Sequence, residues 1–248
     1  MTKADPFYVG YLPLPKQLKP VVMLFAGIWI VAMVGFAALL ASRQQDPGSG
    51  VWDTGTTRIV EGHLTVDPYP ILHVPDPGAS SDMRSILLVS PFKFGATEQA
   101  KTFAGQSVEV TGHFIRREGR TVFELIGEGA IRQTSKNFPT PKVTTQGEVS
   151  LVGEITDSKC FLGVMKLGFG KTHWTCAVRC IAGGIPPIFV TRDALGQATV
   201  YLLTDSRGEA VNDLVLLHVT EPVELRGSLE IRGDMPVLRV ESDAILRK

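Results

Sequence analysis

One order of segments occurs twice in this chain, and that repetition constrains its fold more than any single motif. Residues 108–112 (VEVTG) match 223–227 (VELRG), residues 122–125 (VFEL) match 237–240 (VLRV), and residues 60–65 (VEGHLT) match 151–156 (LVGEIT). Such self-similarity marks two copies of one structural unit. Residues 57–66, 85–90, 106–116 and 120–126 are rich in β-branched residues, and the last two segments alternate apolar and polar side chains as half-buried strands do. Each copy reads as a strand, an irregular segment, two strands, a short helical link and a closing hairpin. The links are residues 96–103 and 209–217. Five short strands with a helix before the fourth is the order of a small OB-type barrel. An immunoglobulin-like sandwich needs about seven strands per copy.

Ahead of the repeats lies an apolar run, residues 21–41 (VVMLFAGIWIVAMVGFAALLA), inside a stretch without charge from Pro20 to Ser42. At about 1.5 Å per residue such a helix spans a hydrocarbon core of about 30 Å. A cleaved signal peptide would carry a shorter apolar core of about 7–15 residues. Ala38 and Ala41 leave a cleavage site open, but the length favours a retained anchor. Lys3, Lys16 and Lys19 precede the run, and only Arg43 follows closely. The positive-inside rule then places the N-terminus in the cytoplasm and the rest of the chain outside. Residues 46–56 (DPGSGVWDTGT) read as a linker. The expected fold is mainly β, an N-terminal transmembrane helix followed by two tandem OB-like barrels. The expected boundaries are a cytoplasmic segment 1–20, the span 21–42, a linker 43–56, barrel one 57–137, a joint 138–147 and barrel two 148–248.

The copies differ in one interval. Gly62 and Gly112 are 50 residues apart, whereas their counterparts Gly153 and Gly227 are 74 apart, so the second copy is 24 residues longer between its first strands. All three cysteines fall in that interval, in an insert spanning residues 158–185. The first copy has none, so the barrel folds without them, and additions to a rigid scaffold are where function tends to be placed.

Residues 173–182 read as a helix with Thr172 as N-cap and Gly183 just past its end. On that helix His173, Cys176 and Cys180 fall within about 60° of one another. Trp174, Val178, Ile181 and Ala182 form a neighbouring apolar stripe, and Thr175 and Arg179 face solvent. Cysteines at i and i+4 hold their Cβ atoms about 5–6 Å apart, too far for a disulfide between them. The two can share a metal with His173 and Cys160, and Cys₃His is a closed zinc set, while thiolates also suit Cu(I) or an iron–sulfur cluster. Cys160 could instead bridge Cys176 or Cys180 and leave one thiol over, as extracellular cysteines usually do. Cys176 near the helix start keeps a thiol-redox reading open. Asp157 reads as a turn residue, with a ligand role as the secondary reading, and His63, His73, His113 and His218 read as structural.

Asp157, Ser158, Lys159, Cys160, His173, Cys176, Cys180 and Gly183 together resemble an exported bacterial domain type that carries D-S-K-C followed by H-x-x-C-x-x-x-C and a glycine. The resemblance covers roughly the second copy and implies an envelope protein with a small β-barrel. The arrangement of one anchor and an external barrel is also similar to the heme chaperone of cytochrome c maturation. That family's H-x-x-x-Y motif has no match near the C-terminal strands.

Lys+Arg and Asp+Glu both number 25, so the chain lacks the basic field that nucleic-acid binding needs. The reading is of a non-enzymatic, single-pass protein of the bacterial inner membrane, with periplasmic barrels and residues 21–42 in the bilayer. It would be an accessory or assembly subunit of an envelope redox system. Residues 5–20, aromatic and proline-rich, would meet a membrane partner. The alternatives are metal or heme delivery and thiol–disulfide exchange.

Overall fold

The structure is a computed structural model that describes residues 14–43, 50–78, 82–117, 119–163, 165 and 167–248. Residues 1–13 of the expected cytoplasmic segment and 44–49 of the expected linker lie outside the described residues. The chain divides into two units, Met1–Asp46 and Pro47–Lys248.

In the first unit, α1 (Lys19–Arg43) is a single helix with no buried residue. Its most apolar 18-residue window has a mean hydropathy of 2.5, and it is long and apolar enough to cross a membrane. A helix apolar on every face is of the kind found across a membrane or deep in a protein core.

The second unit is mainly β. Its first half contains β1 (Val51–Trp52), β2 (Arg58–Thr65), β3 (Ile71–Pro75), β4 (Met83–Val89), β5 (Ser107–Arg117), β6 (Arg120–Leu125) and β7 (Ile131–Gln133). The pairing runs β5-β2-β3-β4-β6, and β6 pairs again with β5. Only the β4–β6 pair is parallel in that circuit. Helix α2 (Thr97–Ala100) and a 3₁₀ turn lead into β5.

The second half contains β8 (Val143–Asp157), α3 (Ser158–Leu162), α4 (Trp174–Ala182), β9 (Pro187–Arg192), β10 (Ala198–Asp205), α5 (Asn212–Val215), β11 (Pro222–Arg232) and β12 (Met235–Arg247). Strands β10-β12-β11-β8-β9 form a closed barrel. Its single parallel pair is β10–β12, and α5 precedes β11. The order of pairing is therefore the same in both halves.

Two pairs of glycines show why these strands can bend into that circuit. A Cβ on Gly62 would lie 2.5 Å from the His73 carbonyl oxygen, and one on Gly153 would lie 2.3 Å from that of Val190. On Gly112 and Gly227 it would meet the Glu124 and Arg239 oxygens at 2.0 and 1.9 Å. Each glycine lets one strand press its backbone against the next, which only a residue without a side chain permits.

The halves share a core. Ile71, Leu87, Ile115 and Val122 of the first pack with Phe161, Leu162, Cys180, Ile188 and Val237 of the second. Burying each large apolar side chain fully contributes roughly 1.5–3 kcal/mol. The stretch read as a joint, 138–147, is part strand, because β8 starts at Val143 and pairs there with Arg232. Trp52, in the stretch read as a linker, pairs with Ile115 and packs on the shared core.

Candidate functional site

The site begins where β8 ends. Asp157 closes the strand with extended backbone and caps α3, its Oδ1 accepting from the Cys160 amide at 2.8 Å. This is the ordinary use of aspartate at a helix start, satisfying an amide that has no partner within the helix. The short helix then sends two neighbours to different tasks. Lys159 turns to the first half, and Cys160 packs beside α4.

Lys159 is buried, and each of its three ammonium protons has a partner. Its Nζ donates to the Ser90 carbonyl at 2.8 Å, the Phe92 carbonyl at 2.7 Å and Glu124 Oε1 at 2.6 Å. Glu124 also accepts from Trp52 Nε1 at 3.1 Å, and the ammonium lies 5.5 Å from the Trp52 ring centre. A buried cation is tolerable only when its hydrogen bonds are filled in this way.

The three thiols converge. Cys160 Sγ lies 3.7 Å from Cys176 Sγ and 3.8 Å from Cys180 Sγ. All three cysteines are free, and their sulfurs lie within 4.8 Å of one another. Above them, Lys93 of the first half donates to Cys176 Sγ at 2.8 Å and Cys180 Sγ at 3.5 Å. The Lys93 segment rests directly on the end of α4, where the Gly95 amide donates to the Gly183 carbonyl at 2.9 Å. A Cβ on Gly183 would lie 1.9 Å from the Lys93 oxygen, and one on Gly95 would lie 2.1 Å from that of Gly184. The two segments thus exchange lysines, Lys159 to the carbonyls of one and Lys93 to the sulfurs of the other.

The Cys160–Cys180 hydrogen bond holds the Cys160 thiol well above its ordinary range, and burial and the Asp157 charge push it further up. The same bond lowers Cys180; burial and Asp157 oppose the shift, and Lys93 assists it. Burial works against the charge on Lys93, but the Cys176 hydrogen bond and the nearby sulfurs outweigh it and raise its value.

His173 departs from the expected arc. It lies in a 3₁₀ turn, Lys171–His173, ahead of α4 rather than on it. Its Nε2 meets Asp157 Oδ2 at 2.8 Å, with the two side chains 2% and 0% exposed. His173 therefore groups with Asp157 and Cys160, and the three sulfurs form a second group that shares Cys160. That turn changes other expectations too. Thr172 is not the cap, since His173 occupies that position with helical backbone and no side-chain bond. Trp174 is half exposed, and Ala177 joins Cys180 and Ile181 on the buried face. The left-handed residue after the helix is Gly184, at φ 89°, and not Gly183.

Either group could hold a metal ion. Thiolates about 2.3 Å from a tetrahedral zinc lie about 3.8 Å apart, which the sulfur spacings match. Asp157, expected as a turn residue with a ligand role second to that, is the cap of α3 and a member of the His173 group. Lys93 gives no sequence signal, lying 83 residues before Cys176. Elsewhere, His63 and His73 are cross-strand partners. His73 is buried between Thr65 Oγ1 at 2.9 Å and Ser85 Oγ at 3.1 Å.

No family model, curated protein or solved structure matches this chain. The likeness to an exported barrel domain therefore rests on the motif residues alone.

Proposed function

We propose that the chain is a membrane-anchored accessory or assembly subunit of an envelope redox system, and that its three-thiol cluster holds a zinc ion. In this reading both halves are OB-type barrels on the periplasmic side, α1 is the bilayer anchor, and residues 5–20 meet a membrane partner. The shared pairing order and the matched glycines support the barrel reading. The observation that carries the metal reading is the spacing of three free sulfurs at 3.7 and 3.8 Å beneath an ammonium group. Three thiolates in a partly buried site need positive charge, and Lys93 supplies only part of it.

Elemental analysis of the full chain, purified in detergent under a phosphine reductant, tests this. Near-stoichiometric zinc is expected, most of it lost in Cys176→Ser. Co-purification of a membrane protein from detergent extracts tests the subunit role.

A thiol–disulfide function is the second reading, favoured by the 3.7 Å separation of Cys160 and Cys176. In that case two thiols pass two electrons and two protons to an acceptor disulfide and form one S–S bond. Metal-free protein whose intact mass rises by two hydrogens on reduction would favour it over zinc.

A further inference from the structure

The metal reading raises the question of what completes the site, because tetrahedral zinc takes four donors. His173 is the obvious candidate, and its pairing with Asp157 matches the carboxylate that commonly orients a zinc-bound histidine. The geometry nonetheless separates it from the sulfurs. In a closed Cys₃His site the ring nitrogen would stand about 3.6 Å from every sulfur, given zinc–nitrogen and zinc–sulfur bonds of about 2.0–2.3 Å. His173 comes within 4.8 Å of Cys160 and Asp157 and joins no group with Cys176 or Cys180. It is anchored there, since its partner Asp157 is fully buried and holds the Cys160 amide with its other oxygen.

We infer that Cys160, Cys176 and Cys180 alone bind the ion, and that the fourth position is open to a donor from outside the chain, water at rest and a thiolate when one is supplied. This rests on the metal reading. Cys160 and Cys176 are only partly buried, so an outside donor has a way in. Three thiolates, one zinc and the Lys93 ammonium sum to zero charge, so the three-sulfur set needs no fourth anion of its own for neutrality. Closed four-donor zinc sites are structural, whereas sites with three protein donors leave one position to exchange. The inferred site belongs to the exchanging kind and accepts a soft donor.

Cobalt(II) substitution in the detergent-solubilised full chain is the test. Cobalt replaces zinc and reports its ligands through thiolate charge-transfer bands and through the d–d bands of a tetrahedral ion. Adding 2-mercaptoethanol is expected to strengthen the charge-transfer band and shift the d–d bands, and His173→Gln is expected to leave the starting spectrum unchanged. Its zinc affinity should fall by no more than about tenfold, the lower end of an outer-residue effect. A wild-type spectrum indifferent to the added thiol would overturn the inference, and a spectrum also altered by His173→Gln would identify a closed Cys₃His site in its place. If the variant does not fold, the thiol titration of the wild-type chain decides alone. Failure of both cobalt and zinc to bind would sink the metal reading itself, an outcome distinct from either spectrum.

Discussion

The two halves pair their strands in the same order but differ in how the first two strands are joined. Strands β2 and β3 are separated by residues 66–70, whereas β8 and β9 are separated by residues 158–186, which hold α3, α4 and every cysteine. The short connection holds no helix and carries Tyr69 into the shared core. The long one folds into two helices that fill the space between the halves and bury Phe161, Leu162 and Cys180 there. The difference teaches that the insert is not a loop displayed on a finished scaffold. It is the packing layer between the halves, and the first half returns Lys93 to it. The thiols come from the second half and the ammonium over them from the first.

The sharpest way to break that arrangement is Lys159→Met. The change removes the cation from a buried pair, leaving the Glu124 charge with Trp52 as donor and the Ser90 and Phe92 carbonyls without the ammonium. A cost of roughly 3–5 kcal/mol is expected for stranding one member of such a pair. Chemical denaturation of the full chain in detergent measures it. A loss under about 1 kcal/mol would mean that the halves do not depend on this contact.

A second contact between the halves titrates. Burial lowers the His73 value from 6.5 to about 4, and the nearby His63 and Arg232 charges add to the shift. His73 also bonds Ser85, whose amide and hydroxyl donate to Asp234 and to the Arg232 carbonyl across the halves. The folded state thus binds this proton less readily than the unfolded chain does. Its contribution is complete above pH 6.5 and is lost as pH falls from there towards 4. At about 1.4 kcal/mol per pH unit the loss approaches 3 kcal/mol. Denaturation midpoints at pH 7 and pH 4.5 should show it, and His73→Gln should flatten the slope.

Much of the strand order was legible, because both halves pair their strands in one order. The helical links expected at 96–103 and 209–217 contain α2 and α5, and the glycine pairs mark strand contacts of the same kind. The insert was located by subtraction, since its length appears as a difference between copies. What sequence could not show was contact at long separation. Lys93 and Glu124 reach the insert through folding alone. His173 leaves the expected helix for a local reason, because a 3₁₀ turn before α4 keeps the spacing of residues unchanged while altering the direction of the side chain.

The likeness of the halves can be sharpened with matched substitutions. Gly112→Ala and Gly227→Ala place a methyl group 2.0 and 1.9 Å from a backbone oxygen of the neighbouring strand. Each should cost roughly 1–3 kcal/mol, as forced overpacking does. Their near-equality in thermal or chemical unfolding is the informative result. A large cost at Gly227 with none at Gly112 would show that only the second half depends on a tight strand contact there.

The smallest effect concerns the segment that the first half lends to the site. Phe92 has φ 61°, a conformation that bulky residues rarely adopt, and its side chain is 83% exposed. Its backbone is in use, because its carbonyl accepts from Lys159 while the next residue places its ammonium over the thiols. The strain thus serves the direction of the chain rather than the packing of the ring. Phe92→Gly relieves a strain of about 1–2 kcal/mol but loosens the unfolded chain by up to about 1 kcal/mol. Stability should therefore stay level or rise by less than about 1 kcal/mol, with metal content unchanged. A clear loss of stability would show instead that the exposed ring has a partner, and that the first half contributes more to the site than a lysine and two carbonyls.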